Sequence, residues 1–486
     1  MKKLLPFSGL LLAALLYASC GNSAAQTETP SQTAPVTESE TDAGTERPYY
    51  DTKGADYGGY TFGIWNFDNV TATGWTGIPG DLFVQEMCGD ILNDAVYKRN
   101  LKIENDLNIT IKGTDVAENF SKGLQSMVAA GEFGVDLIFP LQIDVPSLIN
   151  NDLVCSVQSV EAFDFSEPWW NSNCNETMTI RGKLFTVASD ANYYDKLSTV
   201  VTFFNQKLVA DYGLGNMYSL VKEGKWTLDE AIALGKNVTA DLDGNGTYDA
   251  NDSIGISCQN DAAYYFIQGF GVTICAPDKD GNVRFNLQSQ HAMDALQSIY
   301  TLMGDPSRFF NRQTYNLTLN DAINIFKENR SLFMIRPLQS LFVMREMDAD
   351  FGIIPLPKYD MEQDGYHSAV NPWAGTICML PRTAEDIERS AVVLSALACE
   401  SHYSVISELY ETVLGEKLIR DQDSPLMLDY AFGGIVFDTG LIWNFGGIRD
   451  SLLNHKGTEV ASMLEKVAKS VEKAVEKTNQ TIDEAE

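Results

Sequence analysis

The sequence predicts an α/β fold built on parallel sheets, and three observations carry that prediction. From Tyr60 onward, short apolar runs with strand character alternate with amphipathic helical stretches. One run, Val135-Asp136-Leu137-Ile138-Phe139, is almost continuously apolar, as a strand covered on both faces must be. The chain has 486 residues, 44% of them hydrophobic, which is enough for two or three lobes with cores of their own.

The elements follow in order. Lys2 and Lys3 precede an apolar run, Leu10 to Leu16, and Tyr17-Ala18-Ser19 leads into Cys20-Gly21. That order reads as an export signal of the lipoprotein type over residues 1–19, with Cys20 as the acylated new N-terminus. The apolar run is too short for a permanent membrane span. An ordinary signal peptide is the alternative, since Tyr17 stands where Leu is commoner. The mature chain is then expected at the extracellular face of the cell membrane, anchored by lipid. From Gly21 to about Glu46 the sequence is mostly Ser, Thr, Ala, Gln, Glu and Pro, too poor in apolar surface to offset ordering entropy, and residues 20–56 read as a disordered stalk.

Tyr60 to Trp65 reads as a strand, and Ile91, Ala95, Ile103 and Leu107 share one helical face. Ile109 to Ile111 is a second strand. Phe120, Leu124, Met127 and Val128 follow helical spacing until Gly131, and Pro146 to Ile149 opens another helix. Strands alternating with helices of this length imply parallel βαβ units. Ligands of such sheets sit beyond the carboxyl ends of the strands, which puts Trp65, Asn66, Pro140 and Gln142 near a cleft.

A second block starts after Asp190 to Asp195. Val200 to Phe204 is a strand, Asn205 opens a helix, and Thr227 with Glu230 forms a capping box behind a packed Trp226. Ser331 to Ile335 and Phe351 to Ile354 are further strands, and Thr383 caps a helix running to about Ala398. Val460, Met463, Leu464, Val467, Val471 and Val475 make an apolar stripe on a final helix.

Asp241-Leu-Asp243-Gly-Asn245-Gly246-Thr247-Tyr-Asp249-Ala-Asn-Asp252 is the sharpest local motif. Oxygen donors recur at every second position, Gly246 makes the tight turn, and an acid closes the loop, the spacing that wraps a hard cation such as Ca²⁺. Asp241, Asp243, Asn245 and Asp252 would ligate by side chain, Thr247 by its carbonyl, and Asp249 directly or through water. The closing residue is Asp rather than Glu, and Ser253 to Ile256 looks like strand. The loop therefore resembles isolated dockerin-type calcium loops more than a paired sensor. A structural ion is expected; an acidic turn without metal is the alternative.

The formal charge of −31 repels nucleic acid and anionic lipid, and no basic patch opposes it. Of eight cysteines, Cys275, Cys378 and Cys399 stand in apolar contexts and read as buried thiols. No HExxH, GxSxG, P-loop or GxGxxG occurs, and the four histidines stand alone, so no enzyme is expected. Aromatic residues beside amides and acids recur instead: Trp169-Trp170-Asn171, the stretch from Asp190 to Asp195 with Tyr193, and Asn371-Pro372-Trp373. Flat rings cover the C–H face of a sugar while carboxylates and amides take its hydroxyls. Of Trp169 and Trp170, only one is expected to face a cleft if both lie on a strand.

Several segments together resemble the bacterial extracellular solute-binding proteins of family 1, the maltose-binding-like receptors of ABC importers. They are the stretch ending at Cys20, Pro168-Trp169-Trp170-Asn171, Phe203 to Leu208, Gly224 to Glu230, Phe326 to Met334 and Phe351 to Pro357. The resemblance implies a two-lobe periplasmic-binding-protein-like fold of type II, each lobe a mainly parallel sheet flanked by helices, joined by crossover strands. The first lobe would take 57–190 and 374–420, and the second 196–370 and 425–486. It implies a monomer that captures a small soluble sugar by hinge closure and docks on permease membrane subunits, with Trp65, Asn66, Gln142, Trp169, Trp170, Asp190, Tyr193, Asp195, Arg336 and Trp373 as candidate ligand contacts. Arg336 would hold a hydroxyl or a carboxylate, or else form a surface ion pair. A surface carbohydrate-active enzyme, or a binder of peptide or polyamine, stays open.

Overall fold

The computed structural model describes residues 49–68, 80–117, 120–415 and 423–484. The signal, Cys20 and the stalk up to residue 48 lie outside them; residues 49–56, expected to be stalk, belong to the fold, where Tyr50 and Ala55 pack on the core and Tyr50 donates its hydroxyl to the Ala162 carbonyl at 3.2 Å. Among the described residues no helix is long and apolar enough to cross a membrane.

The first sheet is built by β1 (Tyr60–Phe67), α1 (Ile91–Leu107), β2 (Ile109–Val116), α2 (Phe120–Ala130), β3 (Leu137–Phe139) and α3 (Val145–Asn150). Its strands pair in parallel in the order β2-β1-β3. Asp90 caps α1 by accepting from the Asn93 N–H, and Asn108 ends it in a left-handed turn. The buried face of α1 is Leu92, Ala95, Val96, Arg99, Ile103 and Leu107. Ile91 falls off that face and is exposed, because the cap at Asp90 sets the helical phase. On α2, Phe120 and Leu124 are buried but Val128 is exposed: only one end of that helix meets the sheet.

The second sheet takes β4 (Val200–Asn205), α4 (Leu228–Val238), β5 (Ile254–Cys258), α5 (Ala262–Gly269), a hairpin of β6 (Cys275–Pro277) and β7 (Val283–Phe285), α6 (Gln290–Met303), β8 (Phe309–Asn311), α7 (Leu319–Lys327), β9 (Ser331–Pro337) and β10 (Phe351–Ile354). The sheet order is β10-β4-β9-β5-β8. It is mixed. β9, β5 and β8 are parallel, while β4 enters between β10 and β9 running opposite to both. Trp226 is fully buried, donating its indole N–H to the Pro355 carbonyl at 2.9 Å. Only half of the predicted capping box forms there, Thr227 accepting from the Glu230 N–H; the reciprocal box is on α7, between Thr318 and Asp321.

Two stretches of chain connect the sheets side by side. Val187 pairs with Cys378 and Thr199 with Val370, both antiparallel, while Thr376 and Met379 continue the first sheet beyond β3 by pairing with Leu141 and Ile138. After β11 (Ser368–Ala369) and this return come α8 (Ile387–Tyr403) and α9 (Val405–Gly415), which lie on α1, then α10 (Ser424–Gly433) against β10. β12 (Ile435–Val436) pairs with β11. α11 (Ile448–Asn454) and α12 (Val460–Glu484) finish the chain, α12 packing Val460, Met463, Leu464, Val471 and Val475 inward beside α6 and β7. The cap of α8 is Asp386, not Thr383. Thr383 is turned inward and donates its hydroxyl to the Val135 carbonyl at 3.1 Å, tying the return crossover to the first sheet.

Candidate functional site

β5, β8 and β9 point the same way, and the residues just past their carboxyl ends line one cavity of about 360 Å³. That volume falls inside the range of roughly 300–1,000 Å³ usual for small-molecule sites. Gln259 and Asp261 follow β5, Arg312 and Gln313 follow β8, and Arg336 stands at the end of β9. Asn371 and Trp373, on the returning crossover, complete the wall. Parallel strands ending together leave their next residues convergent, which is why such sheets bind ligands there.

The polar groups form one chain. The Gln259 side-chain carbonyl accepts from Arg336 Nη1 and from Arg312 Nε, each at 2.9 Å. The amide of Gln259 donates to Asp261. Tyr265 and Asn371 extend the chain, Asn371 Nδ2 donating to the Tyr265 hydroxyl at 3.2 Å. Burial raises the Asp261 carboxyl against the pull of Arg336 and Gln259. Burial likewise lowers the Arg336 guanidinium. Trp373 is half-buried, its ring 6.1 Å from Tyr264 and 5.1 Å from the Arg449 guanidinium. A half-exposed indole in a polar cavity can cover an apolar face of a solute while the chain of amides and guanidiniums takes its polar edge.

Arg336 and Trp373 are thus brought together. Gln142 is close by on the side of the first sheet: its Nε2 lies 2.9 Å from where a β-carbon on Gly375 would sit, so a larger residue there would have to push the Gln142 side chain aside. Asn66 is buried at the end of β1, in register with Phe139 of β3.

The other ring candidates lie elsewhere. Trp65 packs edge-on against Phe120 and over Gly123 of α2. Trp169 and Trp170 are both buried, in a turn and not on a continuous strand, so the expected alternation between them does not apply. Trp170 is enclosed edge-on by Phe163 and Phe165. Tyr193 is fully buried and stacks on Tyr194 in a core shared by α1 and the second sheet.

Asp190 and Asp195 sit in the first crossover as part of a charge cluster. Lys196 Nζ is 2.6 Å from Asp190 and 3.8 Å from Asp195, and His402 Nδ1 of α8 is 2.5 Å from the other Asp190 oxygen. Burial would raise Asp190, but Lys196 and His402 outweigh it and hold the carboxyl below its ordinary value. Asp195, deeper, is pushed up by burial to about 6 in spite of Lys196.

In the acidic loop, carboxylate oxygens of Asp241, Asp243 and Asp252 lie within 4.8 Å of one another. Asp252 is fully buried and accepts from the N–H groups of Leu242 and Asp249, pinning the two ends together. Asn245 and Asp249 are turned to backbone N–H groups of Thr247 and Asn251.

Gln259, Asp261, Arg312 and Gln313 were not legible as site residues. Their one signal is positional, since each follows closely on a buried strand.

Two sheets joined by paired crossovers make a two-lobe α/β fold, the one found in solved substrate-binding proteins. Solved structures agree. A cyclo/maltodextrin-binding protein complexed with maltotetraose superposes with a TM-score of 0.56 at 16% identity, over 87% of this chain and 97% of that one. The cyclic α-maltosyl-1,6-maltose binding protein of Arthrobacter globiformis gives 0.56 at 13%, over 86% and 99%. The maltose/maltodextrin-binding domain MalE of Bdellovibrio bacteriovorus bound to maltotriose gives 0.50 at 16%, over 86% and 100%. No protein-family model and no curated protein sequence matches the chain.

Proposed function

We propose that this protein is the solute-capturing receptor of an ABC importer, held at the extracellular face of the membrane through lipid on Cys20, and that it takes up an oligosaccharide. The observation that carries the reading is the cavity at the ends of β5, β8 and β9, where Arg336, Gln259 and Trp373 meet. Its fold neighbours with maltotetraose or maltotriose bound support the sugar. The two sheet-centred bodies act as lobes, 57–190 with 374–420 and 196–370 with 425–486, and close about the crossovers over the solute. The closed form, which must bind solute more tightly than the open one, docks on the permease as a monomer. It transports its solute unchanged and performs no catalysis.

The loop at Asp241 to Asp252 holds a structural Ca²⁺ in this reading, through Asp241, Asp243, Asn245, Thr247, Asp249 and Asp252. The donor set fits: three carboxylates already converge to the separation that ligands of roughly 2.3–2.6 Å reach across one ion. When bound, the ion supplies neutralisation of this acidic turn and nothing to solute capture.

The test is to follow melting temperature and radius of gyration of the full-length protein across an oligosaccharide panel. One saccharide should raise the first and shrink the second. New reducing ends in the mixture would make the protein an enzyme, and silence to every saccharide would sink the sugar. Replacing Cys20 with Ser should abolish incorporation of labelled fatty acid.

A further inference from the structure

The chain carries 66 acidic residues against 35 basic ones, yet its most deeply buried basic groups rest on neutral oxygens: Arg99 bonds the Ala191 and Leu82 carbonyls and the Ser401 hydroxyl, and Lys358 the Gln363 carbonyl. The pocket differs in that one such donor edge is left without any oxygen. Among the described residues, neither Arg312 nor Arg336 has a carboxylate within 4.0 Å. Both guanidiniums converge instead on one neutral oxygen, that of Gln259. Arg312 uses Nε there and Nη1 on the Leu317 carbonyl.

Arg336 is only 4% exposed, yet it makes a single hydrogen bond, through Nη1. Its Nε is buried with no partner. The Nε–Nη2 edge of a guanidinium is the fork that matches the two oxygens of a carboxylate, and on Arg336 that edge is unspent. Leaving a buried charged donor unpaired is costly, so the site is incomplete without an acceptor. The one acid on the wall, Asp261, is already engaged by Gln259 and Tyr265.

We propose that the captured solute carries a carboxylate, as a uronic-acid-containing oligosaccharide does, which lies across the Nε–Nη2 edge of Arg336 with Arg312 beside it while Trp373 covers the sugar ring. This rests on the sugar-receptor reading above and narrows it. It also argues against a polyamine, which two arginines with no carboxylate within 4.0 Å would repel.

The experiment compares three probes on the full-length protein by calorimetry: digalacturonic acid, the neutral disaccharide galactobiose, and glutarate as a carboxylate without a sugar. Digalacturonic acid should bind, more weakly as salt rises, and galactobiose at least tenfold less tightly. R336Q should cost roughly ten- to hundredfold in affinity for digalacturonic acid, with R336K recovering part of it. R312Q, at a less buried position, should show the same selective loss if the first variant fails to fold.

Equal or tighter binding of galactobiose, unaffected by either variant, would overturn the carboxylate while leaving the sugar receptor standing. Binding of glutarate alone would keep the arginine clamp and end the sugar receptor. No binding of any of the three would overturn the proposal.

Discussion

The crossover cluster at Asp190 and the cavity at Arg336 are both buried, both charged and both close to the paired crossovers, yet they are opposites. In the first, every charge meets another: Lys196 lies between Asp190 and Asp195, and His402 takes the remaining Asp190 oxygen. In the second, two guanidiniums share a neutral amide, and the Nε–Nη2 edge of one of them is left over. Buried charge that is complete within the chain holds the fold together. Buried charge that is incomplete and also borders a cavity, as Arg336 does, leaves a place for a partner from outside.

The strongest way to break that contrast is to remove Lys196. Lys196→Met strands two carboxylates in the interior and should cost about 3–5 kcal/mol in urea unfolding. A cost near zero would mean the cluster is not structural. Next in size is calcium removal, which offers an intermediate case: acids that already accept backbone N–H groups but still converge on one point. At calcium 100-fold above its dissociation constant, chelation should lower stability by about 2.7 kcal/mol. An unchanged melting curve would make the loop an ordinary acidic turn.

The pH dependence sharpens the comparison within the cluster. Asp195 ionises near 3.8 when unfolded and about 6 in the fold, so the folded chain binds the extra proton between those values. Its contribution to stability therefore falls as pH rises from about 4 to 6. Asp190 has the opposite sign: held below its ordinary value, it stabilises above that value and loses this as pH falls through the acid range. Asp195→Asn should flatten the fall between pH 4 and 6 and raise stability at pH 7 by about 1–2 kcal/mol, measured by denaturant titration at each pH. A steeper fall would reverse the assignment.

The smallest effect is the most telling. Arg336→Met, which replaces an incompletely paired buried cation by an apolar chain, should change ligand-free stability by less than about 1 kcal/mol, since Gln259 keeps Arg312. A loss as large as that from Lys196→Met would place Arg336 among the structural charges.

Local chemistry determined a good part of this molecule from the sequence alone. Apolar spacing located most of the strands that build the two main sheets and the stripe of the last helix, and the cap at Thr227 marked Trp226 as a packed residue. Oxygen spacing located the loop at Asp241 to Asp252, because its ligand candidates are neighbours in the chain. Arg336 was a candidate through the family resemblance and Trp373 through its cluster with Asn371, and both line the cavity. What only the tertiary structure decided was which polar and aromatic residues share a space. Tyr193, Trp169 and Trp170 carry the same chemistry as Trp373, and burial depth alone separates them. Gln259, Asp261 and Arg312 come from separate stretches that meet only because β5, β8 and β9 end side by side. A side chain's type fixes what it can bond to, but its partners, and whether one is missing, are set by packing across the whole chain.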